Sequence, residues 1–115
     1  EREIEIVAEV DGKIVGTAGV ESLGNRLKLR HRAEFGVSVA RAFWGLGVGR
    51  ALLEACVECA RRAGYTQLEL TAVAENERAL SMYRRAGFVE FGRNPKGFRK
   101  SDGGYKTLVS MRMEL

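Results

Sequence analysis

The chain has 115 residues, 45% of them apolar and 30% charged, with 19 basic and 15 acidic side chains giving a net charge of +4. That length fits one domain, 1–115, and not two, and the apolar fraction is enough for a core. The basic excess is too mild for a nucleic-acid stripe, and no apolar run approaches the ~20 residues a membrane span needs.

The N-terminus carries no signal-peptide pattern, and two cysteines without a disulfide framework suit a cytoplasmic protein. Position 1 is Glu rather than Met, which reads as a chain trimmed, processed or cut from something longer. In chain order, Ile4, Ile6, Ala8 and Val10 alternate with Glu3, Glu5, Val7 and Glu9, the period of a half-buried strand. Asp11-Gly12 is a favoured two-residue hairpin turn, and Lys13–Val20 runs back as a second strand. Polar residues and Gly24-Asn25 make Glu21–Arg30 a loop. His31–Val39 is a third strand, with Phe35, Val37 and Val39 on one face.

The period then changes. Val48, Leu52, Ala55, Cys56, Cys59, Ala60 and Ala63 recur at three and four, an amphipathic helix that Gly64 is placed to end. Thr66–Val73 is a strand. Asn76 begins a second helix with Ala79, Leu80, Tyr83 and Ala86 along one face, stopped by Gly87. Phe88–Gly92 is short and strand-like, Asn94–Gly104 is a polar loop holding the single proline, Pro95, and Tyr105–Leu115 alternates as a last strand. Antiparallel strands followed by helical crossovers predict an α/β (α+β) fold: a mixed, mostly antiparallel sheet with helices packed on it.

Two features invite chemistry. Cys56 and Cys59 have the spacing of a redox pair, but they lie mid-helix on an apolar face, away from the helix N-terminus that would stabilise a thiolate. They read as buried structural thiols. With one histidine, His31, and no second cysteine pair, no metal site is expected. The other feature is Trp44-Gly45-Leu46-Gly47-Val48-Gly49-Arg50, where glycines alternate between a strand and a helix. A helix start leaves backbone N–H groups without partners and carries partial positive charge, and glycines let that backbone approach a ligand. The turn is a phosphate cradle or, in the plainer reading, a tightly packed strand-to-helix turn. No Gly-Lys-Ser/Thr follows, so it is not a P-loop, and the G-x-G-x-G spacing makes a poor dinucleotide fingerprint.

A second segment, Asn76 to Phe88, reads N-x-x-A-x-x-x-Y-x-x-x-G-F. With both segments in order, separated by a helix and a strand, the sequence resembles the GNAT superfamily of acyl-CoA N-acyltransferases. The resemblance runs over essentially the whole chain, from the family's second strand to its last. The glycine turn resembles the family's pyrophosphate motif, R/Q-x-x-G-x-G/A, with Arg41 or Trp44 near its first position. The tail, from Gly87-Phe88 through Gly92 to Gly104-Tyr105 and Met111, looks like members that acetylate amino acids, protein N-termini or small amines. The strand and two helices that usually precede the Glu3–Val10 strand are absent, and they normally help build the acceptor site. Glu3–Val10 would then be a sheet edge. A homodimer is one outcome of such an edge, although Glu3, Glu5 and Glu9 disfavour indiscriminate pairing.

The resemblance implies acetyl-CoA as acyl donor and a primary amine (amino acid, small amine, protein N-terminus or lysine) as acceptor, joined by direct attack, with no metal. It implies that the main chain at Val37 and Val39 holds the pantetheine arm. Trp44 and the N–H groups of Gly45, Gly47, Val48, Gly49 and Arg50 would meet the pyrophosphate, and Asn76 the cofactor near the thioester. Tyr83 is the implied general acid and a cofactor contact, with a helix-face aromatic in the core as the plainer reading; a phenol near pKa ~10 suits a departing thiolate. Glu34 is the candidate base, alone or through water, with a solvent-facing strand glutamate as the plainer reading, and His31 is the second base candidate. Arg93, Lys96, Arg99 and Lys100 form either a solvated loop or a contact for a CoA phosphate. Competing readings are a catalytically idle acyl-CoA-binding or sensor domain, and a nucleotide-binding α/β domain.

Overall fold

Glutamates and aliphatics alternate at the start of the chain, and in the structure, a computed structural model that describes residues 3–24 and 26–115, they form strand β1 (Ile4–Val10). Asp11 and Gly12 take φ of 50° and 80°, the two positive values that match a tight hairpin to strand twist. The chain returns as β2 (Lys13–Ser22), then β3 (Arg32–Val39), both pairings antiparallel. The registers Ile6↔Ala18 and Ala18↔Val37, with Val20↔Phe35 and Gly16↔Val39, put one small or apolar residue from each strand on the same face. Helix α1 (Val48–Arg62) covers that face, burying Leu52, Leu53, Cys56, Val57 and Ala60. The approach is close: a Cβ on Gly16 would lie 3.0 Å from Leu52 Cδ1 and 3.2 Å from Val48 Cγ1.

The end of α1 follows the glycine rule. Gly64 has φ 95°, its N–H donates to Arg61 O, and the Tyr65 N–H donates to Ala60 O. These are the two bonds of a Schellman motif. Strand β4 (Gln67–Val73) follows. The chain divides into two compact units, Glu1–Leu68 with Glu114–Leu115, and Glu69–Met113, so the division falls within β4.

The second unit contains helix α2 (Glu77–Ala86), β5 (Val89–Arg99) and β6 (Tyr105–Glu114), the two strands antiparallel. Its buried side chains include Leu70, Leu80, Tyr83, Phe88, Val109 and Met111. The six-stranded sheet has the order β1-β2-β3-β4-β6-β5, so β1 and β5 are its edges.

Two expected loops are corrected. The stretch Glu21–Arg30 is polar, yet β2 continues to Ser22 because Glu21↔Glu34 and Ser22↔Ala33 extend the ladder. Leu27–Leu29 then forms a short 3-10 turn, while Asn25 of the expected Gly24-Asn25 turn lies outside the described residues. The segment Asn94–Gly104 was expected as loop, but β5 runs to Arg99. Its register shifts between Asn94 and Phe98, and Pro95 sits inside that irregularity on an edge strand, where a missing N–H breaks no ladder. Gly97 is needed there, since a Cβ would meet the Leu108 side chain at 2.8 Å.

Candidate functional site

In the first unit the site is built where β3 ends. The Ala40 N–H donates to Val15 O at 2.8 Å, a bond that flanks the Gly16↔Val39 pair. An antiparallel pair flanked in this way exchanges no bonds of its own, and the alternation repeats every second residue. Val39 and Val37 therefore turn their main-chain N–H and C=O groups away from β2, while their side chains lie on the α1 face.

Beyond β3 the chain tightens into a 3-10 turn, Arg41–Phe43, with the Phe43 N–H on Ala40 O and the Trp44 N–H on Arg41 O. Trp44 then reaches back: its indole Nε1–H donates to Val39 O at 2.8 Å, and the Arg41 guanidinium covers its ring at 5.2 Å from the centroid. Sequence reasoning placed Trp44 at the pyrophosphate motif and missed this link to β3. The available signal was a lone tryptophan five residues after the strand end, which reads equally as a packing residue.

Gly45 and Gly47 take φ of 79° and 88°. A Cβ on Gly47 would meet nothing within 4 Å, so conformation and not crowding demands glycine there. Gly47 is the N-cap of α1, no side chain caps the helix, and its first turn contains no acidic residue. Gly49 and Arg50 lie within that turn, with Arg50 paired to Glu54 at 3.1 Å on the exposed surface. The N–H groups of Val48, Gly49 and Arg50 precede the first intrahelical bond, in which the Ala51 N–H donates to Gly47 O. Uncompensated partial positive charge at that end suits an anion.

Glu34 is exposed on the β3 face opposite Phe35, directly across from Glu21. His31 is exposed too, and its carbonyl accepts from the Thr66 and Gln67 N–H groups. Cys56 is fully buried, and burial together with the neighbouring Cys59 pushes its thiol up to about 11. A thiol held neutral in this way is a packing group and not a nucleophile.

In the second unit, Asn76 is the N-cap of α2, where its Oδ1 accepts from the Ala79 N–H at 3.2 Å. Tyr83 is buried on that helix, and burial raises its phenol above the usual value. The C-terminal end of α2 explains why Tyr83 and Phe88 lie together. Gly87 turns left-handed at φ 112°, the Phe88 N–H donates to Tyr83 O, and the two rings meet edge to face at 5.8 Å. In the basic cluster, Arg93 is held by Glu90 at 2.7 and 3.1 Å, Lys100 by Asp102 at 3.6 Å, and Lys96 lies over the Tyr105 ring. Among the described residues no group of His, Cys, Asp and Glu is arranged to hold a metal ion.

Residues 1–88 match the family described as Acetyltransferase (GNAT) family. The chain belongs to this family. It is 32% identical over 101 residues to the N-alpha-acetyltransferase RimI of Mycobacterium tuberculosis, covering 88% of this chain and 61% of that protein. It is 30% identical over 93 residues to the L-amino acid N-acetyltransferase AaaT of Escherichia coli, covering 80% of this chain and 57% of that one. The chain thus spans less than two thirds of either relative. Among solved structures it is similar to yncA of Salmonella typhimurium, which was determined with its cofactor acetyl-CoA (TM-score 0.90, 26% identity, 96% of this chain and 64% of that one). The GNAT fold expected from the sequence is thereby established. No helix among the described residues is long and apolar enough to cross a membrane.

Proposed function

We propose that this GNAT chain is an N-acetyltransferase that moves an acetyl group from acetyl-CoA to a primary amine by direct attack. The observation that carries the reading is the Gly45–Arg50 turn, whose two left-handed glycines deliver the chain into an uncapped helix start with no acidic residue. Acetyl-CoA, when bound, supplies the activated acyl group and a good leaving sulfur. The N–H groups of Gly45, Gly47, Val48, Gly49 and Arg50 hold its pyrophosphate. Val37 and Val39 hold the pantetheine arm through main-chain groups that the β2 ladder does not use. Asn76 contributes the amide nitrogen left over from its capping bond.

Tyr83 is the proton donor to the leaving sulfur. Burial favours its neutral form, so it keeps its proton until well into the alkaline range. Glu34 takes the proton the amine loses, directly or through water, as the C–N bond forms and the C–S bond breaks. RimI is named an N-alpha-acetyltransferase and AaaT an L-amino acid N-acetyltransferase, and these names support an acceptor of the same amine class for this chain.

The test is release of free CoA thiol across a panel of amino acids, peptides and small amines. Amine-dependent release supports the reading. Acetyl-CoA binding with no amine-dependent release establishes an idle binding or sensor domain instead, and preference for ATP or NAD sinks both. Tyr83→Phe is expected to lower kcat by about 100-fold or more with acetyl-CoA affinity within about twofold. An unchanged kcat where chemistry limits the rate removes Tyr83 from the mechanism.

A further inference from the structure

Trp44 occupies an unusual position. It is the single tryptophan of the chain, it is half-exposed at 50%, and its polar atom is nevertheless committed to the main chain. An exposed indole gains little from burial, so the bond to Val39 O fixes its place, and Arg41 over the ring holds it from the other side. The residue after Trp44 is Gly45, the first left-handed glycine of the cradle. One side chain therefore joins the last residue of β3 to the first residue of the phosphate turn.

Val39 O is also one of the main-chain groups turned away from β2, at the end of β3 where the chain leaves the sheet for the glycine turn. With the indole on it, one of that carbonyl's two acceptor positions is taken, which leaves a ligand's amide a narrower choice at Val39 and directs it toward Val37. We infer that Trp44 is a positioning residue for the acyl donor, setting the register of the donor's amide-bearing arm on β3 and the distance from that strand to the cradle. The inference rests on the acetyl-CoA reading above. An indole that left Val39 would free that acceptor position to compete for the arm one step along the strand. It would also let the turn drift relative to β3. Both effects reach only a ligand long enough to touch strand and cradle together, because the advantage of joining two contacts in one molecule depends on their spacing.

Trp44→Phe separates the possibilities, since it keeps an aromatic ring for Arg41 and removes the indole donor. Binding is measured by calorimetry for acetyl-CoA, which spans both places, and for ADP, which carries only the nucleotide and pyrophosphate. The expected result is acetyl-CoA weakened about threefold to tenfold, the range for one lost hydrogen bond, with ADP within about twofold of wild type. Equal weakening of both ligands overturns the inference by making Trp44 a structural support of the turn. Unchanged acetyl-CoA binding overturns it as well. A wild-type protein that binds neither ligand overturns the acetyl-CoA reading itself, and this inference with it. The second measurement needs no variant. Trp44 gives the only indole N–H signal in a nitrogen–proton spectrum, and slow exchange with water is expected of it. Exchange as fast as that of a free indole removes the latch.

Discussion

At the scale of single residues, burial acts on two titratable groups in the same direction. Tyr83 and Cys56 are both raised, and burial is the largest cause for each. In Tyr83 the result is a phenol that stays neutral at working pH, the form its proposed role as proton donor requires. In Cys56 it is a linkage between stability and alkaline pH. The thiol's ordinary value is 9.0 and its folded value about 11, so the folded state holds the proton more tightly than the unfolded state does. The stabilisation is fully present below 9 and is lost as pH rises through about 11. A shift of that size corresponds to on the order of 3 kcal/mol. Urea midpoints across that window are expected to fall for the wild type and to fall less for Cys56→Ala, whose baseline is lower because of the cavity it leaves. Equal slopes would show that the thiol is not the group responsible. The cysteines were legible as structural thiols from their mid-helix spacing. That Cys56 is buried and Cys59 half-buried depends on how α1 is rotated over the strands, which spacing alone leaves open.

At the scale of elements, the two helix starts are built differently. Helix α2 has Asn76 as a side-chain cap and Glu77 in its first turn, whereas α1 has a left-handed glycine and no acid. The first is satisfied from within by a side chain, and the second has no such cap. Asn76 has two ends, however. Its Oδ1 serves Ala79, and only the amide nitrogen is left to hold a ligand. Asn76→Asp keeps the acceptor and removes the donor. It is expected to retain thermal stability while weakening acetyl-CoA about threefold or more, whereas Asn76→Ala also costs about 1 kcal/mol through the lost cap. Equal acetyl-CoA affinity for Asn76→Asp and wild type would confine Asn76 to capping. Helices were readable because their apolar period and glycine stops agree, as at Gly64 and Gly87. Strand ends were less so. Ladder pairing carries β2 through Glu21 and β5 past Pro95, and a partner strand's backbone leaves no mark in local composition. The Trp44 bond to Val39 was illegible for the same reason: it joins a side chain to a carbonyl, and a carbonyl has no sequence identity.

At the scale of the whole molecule, the charge is +4, and many of its basic side chains are already engaged. Arg50 meets Glu54, Arg62 meets Glu58, Arg93 meets Glu90, Lys100 meets Asp102 and Lys106 meets Glu75. Such exposed pairs contribute little to stability, but each reduces the local positive field. Attraction of a phosphate-bearing donor then rests on the uncapped start of α1 and on the residual net charge. The first acts at contact and is the less screened; the second acts at a distance and is the more screened. Raising ionic strength from about 0.05 M to about 0.5 M shortens the screening length to within one or two side chains. Acetyl-CoA and ADP should both lose affinity, by about threefold or more, and in parallel. S-acetylpantetheine, which carries the thioester arm without phosphate, should be insensitive. Isothermal titration with the three ligands at the two salt concentrations checks this. A salt-independent acetyl-CoA would mean that main-chain bonds along β3 dominate its binding, and the glycine turn would then serve to shape the entry to α1 more than to hold a charge.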